Sequence, residues 1–450
     1  MQTIVFFASK WQTPHIHIYE AIKMNMATAT KQHETKYSNK AANGYLIWAS
    51  VALFFFYQYM LRVYPSVMVN ELRFDFALTA EQFSYFGAFN LYAYSLLQIP
   101  VGLLVDKYGV KRIVLISIAL CLAATTLASF THHLYLAYLS RILMGAGSAC
   151  AFMCTLKTVV DYLPEKGKGI WMGATLTMGV AGALLAGKPL SLVMDLYGWR
   201  HALLLTTIIG ASIFVLVFIV FPREKNVAQN TVEKTTASDI FAGIRTILKA
   251  RMVLIYAFLA VGLYTPLSVM ADLWGVAYIM SKFGLDRSSA AEVSMMLYVG
   301  LCIGSLALPY IAEKYDALNK TIRICIFGIL TTLCAILFLP SLGTWEIATL
   351  FLLLGLFCGA EMLCFTGIVN YAPAGKTGVT FGITNTANML GGAVAQQIIG
   401  FLLDRFLWNG AVDANAHRLY SNSDYTLALS SLVVIIVACC WVSSKLPTRE

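Results

Sequence analysis

The sequence predicts an all-α membrane protein of twelve transmembrane helices, arranged as two parallel six-helix repeats. The first observation behind this is composition. The 450 residues are 59% hydrophobic and only 12% charged, with a mean hydropathy of +0.71, whereas soluble domains carry about a quarter of their residues as Asp, Glu, Lys or Arg. The second is a series of apolar stretches of about 20 residues, the length that crosses a bilayer. The third is internal repetition. Together they exclude a soluble enzyme, a disordered chain and a nucleic-acid-binding protein.

The apolar stretches lie near 44–69, 81–105, 112–130, 133–161, 168–196, 199–221, 251–280, 288–312, 321–340, 346–371, 377–403 and 424–445. Most connections are short. The polar segment 222–250 bisects the chain six spans from each end and is expected to be a linker between an amino-terminal half (44–221) and a carboxy-terminal half (251–445). Its stretch from Asp239 to Leu248 reads as a helix lying along the membrane surface. Residues 1–43 and 446–450 read as tails, and no cleavable signal peptide is visible.

Lysine and arginine counts give the orientation. The side holding both tails and the 222–250 linker carries 22, the opposite loops carry 6, and Arg62, Arg141, Lys157 and Lys188 lie inside spans, which accounts for all 32. Excess positive charge is retained in the cytoplasm, so both termini are expected there, in a bacterial inner membrane. The net charge of +9 then encodes topology more than an acidic partner. The ten cysteines all fall in apolar stretches without metal-site spacing and read as small packing residues.

Sliding residues 151–199 onto 360–408, an offset of 209, gives 13 identities without a gap. They include Gly173/Gly382, Thr175/Thr384, Asp195/Asp404 and Trp199/Trp408. At an offset of 207, Asp106-Lys-Tyr-Gly109 faces Glu313-Lys-Tyr-Asp316. Both members of each pair fall on one side of the membrane, so the repeats are parallel, a symmetry found in one large transporter fold.

The loop after the second span reads Gly102-Leu-Leu-Val-Asp106-Lys107-Tyr-Gly109-Val-Lys111-Arg112. Its glycines permit a tight turn, and Asp106 is able to pair with basic residues or cap a neighbouring helix. This loop, with Arg141-x3-Gly145-x-Gly147 in the fourth span, closely resembles the signatures of the major facilitator superfamily. The resemblance runs from about residue 44 to 445. It implies alternating access, with these loop residues latching the halves on the cytoplasmic side.

Charges buried in a bilayer are costly unless paired or hydrated, so they point to function. Arg62, Arg141, Asp272 and Glu361 all lie deep in spans. Glu361 is the repeat counterpart of Phe152, eleven residues beyond Arg141 and so only about 20° from it around a helix. Arg141 and Glu361 are therefore expected to point into the cavity between the halves. Arg62 and Asp272, 210 residues apart, are expected to form a second pair. Inter-half gating, direct substrate contact and proton coupling are all open roles for these residues.

Arginines on one half and carboxylates on the other match a zwitterion, because a guanidinium fork suits a carboxylate. Arg62, Arg141, Lys188, Tyr57, Asn90, Asn385, Asn388 and Trp274 are the candidate substrate contacts, and Asp272 and Glu361 the candidate proton-coupling groups. Gln58, Tyr94 and Tyr264 are further polar residues within spans, and Lys157, near a span end, is a weaker cavity candidate. Drug antiporters of the superfamily often carry a Gly-Pro pair in the fifth span; its absence here favours uptake by symport. The stretch Tyr57–Val63 and the motif Asp272-Leu-Trp274-Gly275 also resemble the phagosomal-transporter branch of intracellular bacteria, which implies amino acids or related nutrients.

The leading expectation is thus a monomeric, proton-coupled importer of an amino acid or short peptide, with no cofactor, no metal and no enzymatic activity. The alternative cargo is an organic anion, since the intramembrane bases outnumber Asp272 and Glu361. A membrane nutrient sensor without transport is a remote third.

Overall fold

The computed structural model describes residues 44–164, 168–221, 250–372, 377–413 and 417–447. Residues 1–43, 448–450 and the surface helix expected at 239–248 lie outside the described residues, while Leu446 and Pro447 of the second tail accept from Arg323 through their carbonyls. Within them the chain is almost entirely helical, apart from one isolated bridge between Val412 and Arg418. A bilayer leaves backbone groups no water to bond, so a chain this apolar satisfies them within helices.

Among the described residues, eleven helices are long and apolar enough to cross a membrane: Gly44–Val67, Val110–Phe130, Leu134–Tyr162, Ile170–Tyr197, Trp199–Val220, Arg251–Phe283, Arg287–Lys314, Leu318–Phe338, Thr344–Ile368, Thr380–Leu407 and Asn422–Ser443. The second expected span is Ala80–Tyr108, a continuous helix of 29 residues. At about 1.5 Å per residue it is long enough to cross, although Asn90, Tyr92, Tyr94 and Gln98 make it less apolar than the others. Counting it, the spans are named first to twelfth in chain order. The end of the bundle that carries Gly44 is called the terminal end, and the opposite end the distal end.

Three interruptions place function. The fourth span breaks between Ser148 and Ala151, and the tenth between Cys358 and Glu361, at repeat-equivalent positions. The seventh span changes after Pro266 into a π-helical stretch, Leu267–Trp274, before continuing as Gly275–Phe283. Such wide turns are frequent at functional sites, and this one carries Asp272.

Close packing inside the carboxy-terminal half relies on small residues. A Cβ at Gly300 or Gly304 of the eighth span would run into the carbonyls of Leu352 or Leu356 of the tenth, and one at Gly355 into that of Leu297. Small residues let backbones approach where lipid supplies no hydrophobic drive between helices. The halves meet mainly through two repeat-related contacts, the second span against the eleventh and the fifth against the eighth.

The distal end is closed across the halves, and the closure follows the repeat. Thr79 caps the second span and Asp286 the eighth, 207 residues apart. The Asp404 carboxylate at the end of the eleventh span accepts from the backbone of Ala80 (3.3 Å) and Glu81 (2.7 Å), the first turn of the second span. Arg418 lies 3.2 Å from it, and the Tyr420 hydroxyl donates to it. Its repeat mate Asp195 sits 3.2 Å from Arg287, the first residue of the eighth span. Arg287 also pairs with Glu71. Burial pushes the Glu71 carboxyl up, while Arg287 opposes that shift. Lys188 and Glu292 add an inter-half pair at 2.5 Å.

Two outcomes are expected. Gly300→Leu forces the eighth and tenth spans apart and costs at least about 1–3 kcal/mol, read as a lower thermal unfolding midpoint in detergent; an unchanged midpoint contradicts the packing account. Asp404→Ala removes a carboxylate from a helix start, worth about 1–2 kcal/mol, and broadens spin-label distances between the distal ends of the second and eleventh spans. A distribution identical to wild type contradicts the latch.

Candidate functional site

Midway through the bundle, the first and seventh spans meet at an ion pair. Arg62 is 8% exposed and Asp272 3%. Arg62 Nε and Nη2 both donate to Asp272 Oδ2, at 2.8 and 2.7 Å. The other carboxylate oxygen, Oδ1, accepts from the Tyr298 hydroxyl of the eighth span. Arg62 Nη2 also donates to the Tyr264 hydroxyl, and its plane lies over the Tyr59 and Tyr264 rings. The last nitrogen, Nη1, faces the thioether of Met389 at 4.0 Å, a weak acceptor. One guanidinium edge is therefore filled by protein charge, and among the described residues the other meets the neutral Tyr264 hydroxyl and the soft Met389 sulfur.

Several spans hold this pair rigidly. The Tyr264 hydroxyl reaches Met389 Sδ of the eleventh span at 3.4 Å. Trp274, two residues after Asp272, donates from its indole to the Gln396 carbonyl at 3.1 Å. Gln396 Nε2 in turn donates to the Ser268 carbonyl at 2.8 Å. The π stretch is thus fixed to the eleventh span on both sides of Asp272.

The second buried carboxylate, Glu361, is 7% exposed and opens the helix that follows the break in the tenth span. Its Oε1 accepts from Asn388 Nδ2 at 2.6 Å, and it lies within electrostatic reach of Arg62 and Tyr59. Arg62, Asp272 and Glu361 therefore share one region at the seam between the halves.

Other expected contacts fall elsewhere. Arg141 does not meet Glu361. It is wholly buried inside the amino-terminal half, donating to the carbonyls of Phe86 (2.6 Å), Leu61 (2.7 Å) and Arg62 (3.4 Å) over the Tyr64 ring. The expected direction into the cavity between the halves is not met: the fourth span breaks at 148–151, between Arg141 and Phe152, so the eleven-residue spacing does not carry one face across. Lys188 is 47% exposed and paired with Glu292 at the distal end, so it is a peripheral cation outside the central site. Trp274 is buried against Phe83 and Tyr425 and serves as an anchor for the π stretch. Tyr57 is buried where a Cβ on Gly210 of the sixth span would strike its ring, and the Asn90 carbonyl packs on Gly145. Asn385 is half-buried one turn before Asn388.

At the terminal end, Gly109 adopts φ +82° between the second and third spans, a conformation that favours glycine. Lys111 Nζ donates to the carbonyls of Phe218 (3.1 Å) and Phe221 (2.5 Å), where a cation suits the end of the sixth span. Gly102 faces Met153, Lys107 lies over the Tyr108 ring, and Arg112 is exposed. The Asp106 side chain lies outside the described residues. Tyr298, Met389 and Glu292 were missed in the sequence. Glu292 alone had a signal there, as an acidic residue in the second turn of a span opposite a basic span residue.

Two like halves of membrane-crossing helices with charged groups buried at their seam define a small-molecule transporter. The family model described as Major Facilitator Superfamily matches residues 48–396. The chain belongs to that superfamily. Among curated relatives, the probable L-galactonate transporter of Escherichia coli (strain K12) is 23% identical over 367 residues, 77% of this chain and 80% of its own. The cis,cis-muconate transport protein of Acinetobacter baylyi (strain ATCC 33305 / BD413 / ADP1) is 23% identical over 351 residues, covering 75% and 82%. A solved bacterial homologue of the human lysosomal transporter Spinster, inward-facing and unoccupied, superposes with a TM-score of 0.70 at 12% identity, over 89% of this chain and 96% of that one. These relatives are transporters and not enzymes, and the two curated ones are named for organic acids. The amino-acid expectation rested on two short motifs and finds no support in them; the organic-anion alternative does.

The buried pair makes a checkable claim. Asp272→Asn leaves Arg62 as an uncompensated buried charge and costs about 3–5 kcal/mol of stability. Adding Arg62→Gln recovers most of that loss in thermal unfolding. A double variant as unstable as the sum of the singles contradicts the pairing.

Proposed function

We propose that this chain takes up a small organic acid, a sugar acid or a compact dicarboxylate, together with a proton. The observation that carries this reading is the Arg62–Asp272 pair across the halves. A carboxylate substrate carries the same group that Asp272 presents, and Arg62 keeps a second edge facing only Tyr264 and Met389. Bidentate recognition of a carboxylate is what a guanidinium does best.

The cycle follows from competition. A substrate carboxylate entering on the Nη1 side draws Arg62 from Asp272. A bare carboxylate at this depth is costly, so Asp272, still held by Tyr298, is neutralised by a proton. The pair across the seam is then gone, and the halves are free to rock. When the acid leaves, Asp272 releases its proton and returns to Arg62. Glu361 is a second proton site in this scheme. Asn385 and Asn388 contribute hydrogen bonds to the acid, while Arg141 supports the Arg62 backbone. With the terminal end in the cytoplasm, the closed distal end shuts the site from the outside. The loop Gly102–Arg112 would latch the opposite state.

Support for the substrate class comes from relatives named for L-galactonate and cis,cis-muconate, both carboxylates. Proteoliposomes tested with labelled D-glucuronate, L-galactonate and cis,cis-muconate, alongside leucine and a dipeptide, are the direct test. Acid uptake is expected above empty vesicles and rising with an inward proton gradient. Arg62→Lys lowers it more than about tenfold, since truncating a buried charged contact costs about 2–5 kcal/mol. Asp272→Asn keeps exchange but loses gradient-driven accumulation. Uptake of leucine or dipeptide without acid uptake overturns the proposal.

A further inference from the structure

Asn388 is fully buried, yet only half of its amide is satisfied. Nδ2 donates to Glu361, while Oδ1 has no hydrogen-bond partner among the described residues. A buried amide oxygen left unpaired costs about 1–3 kcal/mol, and native interiors seldom keep one without a role. Its neighbour in sequence, Met389, is the residue facing Arg62 Nη1 and Tyr264. The unpaired oxygen is thus on the stretch of the eleventh span that flanks the central pair.

A primary amide has a donor end and an acceptor end, so what it shows to one side depends on what the other side needs. Ionised Glu361 only accepts, which holds Nδ2 toward it and leaves Oδ1 for the surroundings. Protonated Glu361 has an O–H to donate. Turned by half a rotation, Asn388 then takes that O–H on Oδ1 and presents its NH2 group instead. An anion is repelled by the first arrangement and hydrogen-bonded by the second.

We infer that Asn388 relays the protonation state of Glu361 to the substrate, offering an organic anion a donor when Glu361 is protonated and an acceptor when it is not. One proton enters on a Glu361 oxygen, the amide turns, and the acid binds with no covalent change. When that proton leaves to the other side, the amide turns back and the acid is released. The acid as ligand rests on the function proposed above; the amide rotation does not.

The groups around Glu361 are consistent with such a switch. Arg62 and Tyr59 approach from the first span, while Asp272 and Tyr264 on the seventh and Tyr298 on the eighth surround Arg62. Cys358 and Cys364 lie on its own span, and Cys325 and Cys439 are their neighbours from the ninth and twelfth. Among these, Arg62 is the cation and is held by Asp272, so the immediate partner of Glu361 is the Asn388 amide.

Two readouts test the relay on the purified full chain. Without any acid present, pH-difference infrared spectra with 15N-labelled asparagine should show, on acidification, a carboxylic-acid component that the Glu361→Gln spectrum lacks. A labelled side-chain amide shift, lost in the near-isosteric Asn388→Leu, should accompany it. A carboxylic-acid band without that shift, or a shift that persists in Glu361→Gln, overturns the relay. In calorimetry with D-glucuronate, wild-type affinity should rise as pH falls, with a share of up to about tenfold per unit belonging to the Glu361 titration; both variants should lose that share and keep only the shallower slope set by Asp272. A uniformly weaker Asn388→Leu that keeps the wild-type slope makes Asn388 a simple contact and also overturns the relay. If D-glucuronate binds at no pH, the organic-acid reading fails, and the infrared arm still decides the rotation.

Discussion

A guanidinium and a carboxylate, buried together but supplied by different halves of the chain, form the constraint on which the rest of this structure depends. Neither charge is tolerable alone at that depth. Whatever separates the halves at their centre must therefore first provide Arg62 with another anion and Asp272 with another positive partner. A carboxylate substrate and a proton meet those two needs at once. The fold around the pair serves to keep it in register: the π stretch of the seventh span aims Asp272, Tyr298 and Tyr264 fix the two partners, and Arg141 holds the backbone that carries Arg62.

Magnitudes separate this pair from the other inter-half contacts. Half-exposed pairs such as Lys188–Glu292 contribute about 0–1 kcal/mol, and a helix cap such as Asp404 about 1–2. Breaking one member of a buried pair costs several times as much. The distal closure is therefore built from small, separable pieces, each weaker than the central pair. Its two main latches are repeat mates, with Asp404 against the start of the second span and Asp195 against the start of the eighth. A gate assembled from duplicated parts closes symmetrically around the seam.

Much of the fold was legible because a bilayer imposes length and apolarity directly on the sequence. The spans, the parallel repeat and the Arg62–Asp272 pair could all be read from spacing. The second span was legible as well, although its tyrosines and amides place it below the others in apolarity. What spacing cannot give is which side of a buried helix is lined by cavity and which by neighbouring backbone. Arg141 and Glu361 sit on repeat-related spans, but one meets the carbonyls of Leu61 and Phe86 and the other the Asn388 amide. Lys188 failed for a different reason: its partner Glu292 sits on a span with which it shares no repeat relation. The π stretch left no signal beyond Pro266, because a wide turn depends on tertiary packing more than on local propensity.

Cargo was the least legible feature. A paired arginine and carboxylate suit a zwitterion and an anion equally well, until competition between substrate and Asp272 for one guanidinium is considered. The central claim is that the substrate carboxylate takes the place of Asp272 on Arg62. A structure of the protein with D-glucuronate bound tests it most directly. The account predicts the acid's carboxylate on Arg62, with Asp272 withdrawn to Tyr298. An acid bound elsewhere, with the Arg62–Asp272 contact intact at its present 2.7 Å, would contradict it.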